Sequence, residues 1–157
     1  MTVQEKLLAK YGNPVLDVRV FEARNMEMWD IPLYINTHIP ALPNKVYCNK
    51  DLVDPLQKVF YALIETGLSK EIKTWDGCYN VRFIRGSKTV LSVHSWGLAI
   101  DMNAAHNPLG YTKDEARERG LKPFSLAFDD MFRSNGFKCG IDFKRGDGMH
   151  FEYTTKL

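Results

Sequence analysis

Two short stretches constrain this chain more than anything else in it: Ser92-Val93-His94-Ser95-Trp96-Gly97-Leu98-Ala99-Ile100-Asp101, and Asp147-Gly148-Met149-His150-Phe151-Glu152 near the C-terminus. From Gly97 to Met102 small or polar residues alternate with large apolar ones, the pattern of a half-buried strand. Period-two geometry then sets Gly97, Ala99 and Asp101 on one face and turns Leu98, Ile100 and Met102 inward. Glycine and alanine would leave open space beside the carboxylate. The C-terminal stretch repeats the logic, with Met149, Phe151 and Tyr153 on one face and His150 and Glu152 on the other. The fold class expected is α+β, a small antiparallel sheet backed by helices.

His94, Asp101 and His150 are the residue types of a catalytic zinc centre. Such a centre takes three nitrogen or oxygen ligands and keeps a fourth position for a water that the metal makes nucleophilic near neutral pH. Asp147 stands three residues before His150 between Gly146 and Gly148, which can turn its carboxylate toward the metal. Its reading there is a general base that takes a proton from the water and returns it to the leaving amine. A plain turn residue between glycines is the alternative. Glu152 reads either as a partner of a ligand or as a solvated carboxylate.

The stretch SxHxxGxAxD followed by DxxH has seven fixed positions, and on them the chain resembles the LAS-type zinc peptidases. That group holds D-alanyl-D-alanine carboxypeptidases and dipeptidases, hedgehog-like zinc domains and bacteriophage L-alanoyl-D-glutamate endolysins. The resemblance implies a hedgehog/DD-peptidase-like fold, one zinc ion on His94, Asp101 and His150, and an acid/base at Asp147. The dipeptidases usually carry glutamate where this chain has Asp147, whereas phage endopeptidases of similar size can carry aspartate, so the resemblance leans toward the phage branch. It further implies an arginine that orients substrate or stabilises the oxyanion, with Arg82 the better positional match and Arg85 the reserve. A guanidinium suits that task because it pairs with a carboxylate or oxyanion without itself titrating. Ser92 matches a family serine that would hydrogen-bond substrate or a ligand. Cys139 stands where relatives often place tryptophan, which bears on the shape of a cleft wall.

Arg82 lies in a segment expected to be a strand after a turn, with Tyr79, Val81 and Phe83 inward and Asn80 and Arg82 outward. Trp96 reads as a cleft-lining residue or as a packing aromatic. His38 and His106 sit in loop-like contexts and are read as surface histidines.

At 157 residues and 45% hydrophobic, the chain suits one compact catalytic domain. Its formal charge of +2 comes from interleaved acidic and basic residues, so nothing announces nucleic acid. Cys48, Cys78 and Cys139 are widely spaced and read as reduced packing residues. The N-terminus lacks the basic head and apolar run of a secretory signal, and no stretch is long and apolar enough to insert in a membrane. The expectation is a monomer made in the host bacterial cytoplasm and released to the cell wall, with peptidoglycan as its partner and the L-alanyl-D-glutamate bond as its target. A D-alanyl-D-alanine carboxypeptidase and a non-catalytic hedgehog-like zinc domain that binds cell wall are the alternatives.

Helices are expected over Val3 to Tyr11, from Asp51 or Asp54 to Gly67 with Pro55 in the first turn, over Thr112 to Arg119, and over Ser125 to Asn135. Thr112 followed by Glu115 has the form of a capping box. An extended segment is expected around Leu16 to Phe21.

Overall fold

The computed structural model describes residues 1–157. Helix α1 (Val3–Tyr11) starts at a reciprocal cap in which the Thr2 hydroxyl accepts from Glu5 N–H and the Glu5 carboxylate accepts from Thr2 N–H. It ends at Gly12. Helix α2 (Val18–Asn25) replaces the expected extended segment. Leu16, Val18 and Val20 are all exposed, so the segment has no apolar face to bury as a strand. Asp17 accepts from Val20 N–H and caps a helix that buries Phe21 instead.

Strand β1 (Met26–Asp30) follows, then α3 (Leu33–His38), and β2 (Lys45–Asn49) pairs antiparallel with β1. Helix α4 (Lys50–Glu65) is capped by the Asn49 side chain, which accepts from Asp51 N–H. It begins earlier than expected, so Pro55 lies inside the helix and not in its first turn. Its buried stripe of Leu52, Leu56, Val59, Phe60 and Leu63 has the spacing that marked it in the sequence.

The second sheet has the order β3-β4-β6-β5, all antiparallel, from β3 (Trp75–Gly77), β4 (Ala99–Met102), β5 (Lys138–Cys139) and β6 (His150–Glu152). Between β4 and β5 run α5 (Lys113–Glu118), with the Thr112/Glu115 capping box in place, and α6 (Leu126–Ser134), capped by Ser125. The architecture is thus α+β, small antiparallel sheets backed by helices. No helix is long and apolar enough to cross a membrane.

Behind the second sheet, Phe151 stacks on Phe132 at 4.2 Å, and Phe128 stacks on Phe124 at 4.1 Å. All four rings are buried, and each contributes about 2–3 kcal/mol of burial free energy. This layer holds β6 from behind and leaves its other face free for polar residues.

Two strand expectations are corrected. Gly97 is not a strand residue facing open space: it ends a 3-10 turn over Val93–Trp96 with φ of 69°. A Cβ there would meet the Asn49 backbone nitrogen at 2.8 Å, so the glycine permits close approach of β2. The chain around Arg82 forms no ladder strand either, and Val81 and Phe83 are exposed. Ser95 replaces the ladder, since its hydroxyl accepts from Arg82 N–H and donates to Arg82 C=O. Beyond it the chain makes a narrow hairpin closed by a bridge between Phe83 and Leu91.

Candidate metal centre

In the β4–β6 ladder Asp101 stands directly opposite His150, and Ala99 opposite Glu152. Side chains directly opposite share a face, so the register carries both polar residues of β6 to the side where Asp101 projects. His94 arrives from the 3-10 turn just before β4. Ser92 caps that turn, its hydroxyl accepting from His94 N–H at 3.3 Å, and Gly97 closes it. The ligand atoms of His94, Asp101 and His150 all lie within 4.8 Å of one another.

The hydrogen bonds around the two imidazoles assign their tautomers. His94 Nδ1 lies 2.6 Å from the Cys78 carbonyl and donates to it, which leaves Nε2 as a bare lone pair. His150 Nε2 lies 2.9 Å from Glu152 Oε1 and donates to it, which leaves Nδ1 bare. Thr154 Oγ1 donates to the other carboxylate oxygen of Glu152 and fixes it. The two bare nitrogens face each other at 3.2 Å, with Asp101 Oδ2 at 3.1 Å from His94 Nε2 and Oδ1 at 3.4 Å from His150 Nδ1. The latter contact lacks hydrogen-bond geometry, so Oδ1 is buried with no hydrogen-bond partner.

Lone pairs converging this way repel unless a cation or a proton stands among them. Two nitrogens each about 2.0–2.1 Å from one zinc ion at a tetrahedral angle sit about 3.3 Å apart, close to the spacing found here. The donor set therefore fits zinc. A proton is its competitor: burial disfavours an imidazolium at His150, but Asp101 and Glu152 outweigh burial and push its pKa up to about 9. Burial would raise the Asp101 carboxyl, yet the positive charge that His150 and His94 carry when protonated holds it well below the usual carboxylate range.

Asp147 borders the same cluster. It is half-buried, its Oδ1 is buried without a hydrogen-bond partner, and burial lifts its carboxyl above the ordinary value, with Asp101 adding to the rise and His150, His94 and Arg85 opposing it. Its backbone is pinned, because Asp147 N–H donates to Gly140 C=O and His150 N–H donates to Asp147 C=O. Gly140 makes this possible, since a Cβ there would come within 2.3 Å of the Asp147 carbonyl oxygen. A carboxylate beside the ligand cluster with an unpartnered oxygen is equipped to hold and move a proton.

The cluster opens into a cavity of about 500 Å³ whose lining includes Arg82, Arg85, Ser92, Asp101, Asp147 and His150. Of the residues singled out in the sequence, the fold thus brings together the three ligands, Asp147, both arginines and Ser92. Trp96 does not join them. It is fully buried, and its indole N–H donates to the Gly12 carbonyl at 3.0 Å, so the cleft-lining role is withdrawn in favour of packing. Cys139 faces the core from β5 with its thiol toward the Asp129 carbonyl, so it shapes no cleft wall. His38 is exposed, and His106 is half-buried and accepts from Lys122 N–H; neither reaches the cluster. Cys48, Cys78 and Cys139 are buried free thiols.

Three supports escaped the sequence reading: the Cys78 carbonyl, Thr154 and Gly140. Backbone acceptors leave no trace in residue type. Thr154, however, lies two residues after Glu152 on an extended segment, and that spacing was a usable signal. Glu152→Ala is expected to weaken zinc binding about 10- to 100-fold by freeing the His150 ring, as measured by competition with a chromogenic chelator. Unchanged affinity would show that the ring is held without Glu152.

A family model described as D-alanyl-D-alanine carboxypeptidase matches residues 85–153. The matched stretch contains the three ligands and Asp147 and leaves the N-terminal half of the chain outside. No curated protein and no solved structure matches the chain. Over residues 85–153 the chain is similar to the D-alanyl-D-alanine carboxypeptidases, and the same stretch carries the His-Asp-His cluster that could hold a metal ion.

Proposed function

We propose that this protein is a zinc peptidase that hydrolyses an amide bond in the peptide stem of bacterial peptidoglycan, with the L-alanyl-D-glutamate bond as the preferred target. The observation that carries the reading is the convergence of three bare ligand atoms beside a carboxylate with an unpartnered oxygen, at the floor of a cleft. Bound to His94, Asp101 and His150, zinc supplies Lewis acidity, polarising a carbonyl and lowering the pKa of water. Asp147 takes the proton from the attacking water and delivers it to the leaving amine. Arg82 and Arg85, on the rim of the same cleft, orient the substrate or balance negative charge developing on the carbonyl oxygen.

Charge supports an anionic substrate. The cavity is lined by five cations, Arg82, Arg85, Lys138, Lys144 and Arg145, against three carboxylates, Asp101, Asp147 and Glu152. That excess of two equals the excess of the whole chain, which has 21 basic and 19 acidic residues. The net positive charge of the protein is therefore gathered at the cleft, and stem peptides carry carboxylates. Phe143, Lys144 and Arg145 also wall a second basin of about 570 Å³. Aspartate at position 147 supports the phage-lysin form of the reading, with the protein acting as a monomer on the wall after release from the host cytoplasm. The matching family model favours a second reading, D-alanyl-D-alanine carboxypeptidase.

Digestion of purified peptidoglycan by zinc-loaded protein, followed by mass spectrometry of the new ends, tests both. Chelator-sensitive release of N-terminal D-glutamate is the expected result. Free D-alanine would move the assignment to the carboxypeptidase, and no cleavage of several wall types would sink the peptidase reading.

A further inference from the structure

The cleft is not built from the matched stretch alone. Val3, Gln4 and Leu7 of α1 line the same cavity as the loop that carries Lys144 and Arg145. They meet the hairpin 82–92, whose stem and tip carry Arg82 and Arg85. The reason lies in hairpin geometry. Ile84 N–H donates to Val90 C=O and Ser92 N–H donates to Arg82 C=O, so Phe83 and Leu91 between them form a non-hydrogen-bonded pair. Such a pair turns its N–H groups outward, away from the partner strand. Leu91 N–H therefore faces α1, and Gln4 Oε1 accepts it at 2.6 Å across 87 positions of sequence.

From Phe83 to Leu91 this is the one hydrogen bond to a distant part of the chain. The turn is otherwise closed on itself, with the Ser87 hydroxyl accepting from Thr89 and Val90 N–H. Ile84, Arg85 and Val90 are exposed, so packing gives the outer hairpin little hold. The base is different: Ser95 grips Arg82, and Ser95 is fully buried. The hairpin is thus anchored at its base by the ligand turn and along its return arm by α1.

We propose that Gln4 is a positioning residue for the substrate: it clips the return arm of the hairpin to α1 and so holds Arg85 and the apolar wall of Leu7, Val90 and Leu91 over the metal-ligand cluster. The ligand this wall serves is the stem peptide of the proposed function, on which this inference rests, with an aliphatic side chain against the wall and a carboxylate toward the arginine. Gln4 acts through the hairpin, by accepting from Leu91 N–H. Its loss should weaken substrate binding and leave the chemical step alone.

Gln4→Met keeps length and helix propensity but removes the acceptor, whereas Gln4→Glu keeps an acceptor oxygen. Hydrogen exchange of the zinc-loaded full chain, read without substrate, should show the Leu91 amide exchanging about 2- to 10-fold faster in Gln4→Met and near the parent rate in Gln4→Glu, with the amides of α4 unchanged. On stem peptide, KM should rise about 3- to 10-fold in Gln4→Met with kcat within about 2-fold and zinc content unchanged. Parent-like exchange at Leu91 in Gln4→Met would overturn the clip. Faster exchange with an unchanged KM, or a fall in kcat alone, would overturn the positioning role. If the parent protein cleaves no stem peptide, the peptidase reading fails by itself, and the clip is still decided by exchange and by the dissociation constant for the same peptide.

Discussion

Asp147→Asn should lower kcat on peptidoglycan stem peptide by about a hundredfold or more, while zinc content, fold and wall binding stay as in the parent. The amide is isosteric with the carboxylate, and the buried Oδ1 has no hydrogen-bond partner to lose. The backbone bonds that pin the residue, to Gly140 and His150, do not involve the side chain. The substitution therefore removes a proton acceptor and little else. Kinetics on a defined stem peptide, with metal analysis of the same sample, check it. Near-normal turnover would mean that Asp147 is not the base. A hedgehog-like binding module would bind wall equally well with either residue and turn over with neither, so the experiment also separates an enzyme from a recognition domain.

The second large effect concerns the metal. His94→Ala should reduce bound zinc from one ion per chain to near zero and abolish turnover. In the parent, zinc at about a hundred times its dissociation constant contributes about 2.7 kcal/mol, or roughly 5–10 °C in Tm for a chain of this size. That increment should vanish in the variant and in chelator-treated parent. His94→Ala also leaves the buried Cys78 carbonyl without its donor, at a cost of about 1–3 kcal/mol. Comparing metal-free variant with metal-free parent isolates that cost, and the zinc increment is then read by difference. A variant that keeps stoichiometric zinc and its thermal shift would exclude His94 as a ligand.

The placing of Asp101 and His150 on one face was legible because each sits on a short local pattern. Alternation around Ala99, Ile100 and Asp101, and again around His150, Phe151 and Glu152, assigns faces without knowledge of the rest of the chain. The capping box at Thr112 and the apolar stripe of α4 were readable for the same reason, since their partners lie within a few residues. Local pattern misled where it had no such reinforcement. Leu16, Val18 and Val20 alternate as a strand would, yet Asp17 caps a helix there. Val81 and Phe83 alternate too, but the segment is held by the Ser95 side chain and has no neighbouring strand to pair with.

What the sequence by itself determined is the donor chemistry: two imidazoles and a carboxylate with a second carboxylate nearby, Asp101 and His150 on strand-like stretches whose apolar residues face one core. The tertiary structure decided how these are aimed. The register that sets Asp101 opposite His150, the Cys78 carbonyl and Glu152 that select each imidazole's bare nitrogen, and the burial of Trp96 all depend on segments distant in the chain. So does the wall that α1 adds to the cleft through Gln4. Such contacts arise from backbone groups and from the packing of remote elements, and neither is encoded in the spacing of residues along one stretch.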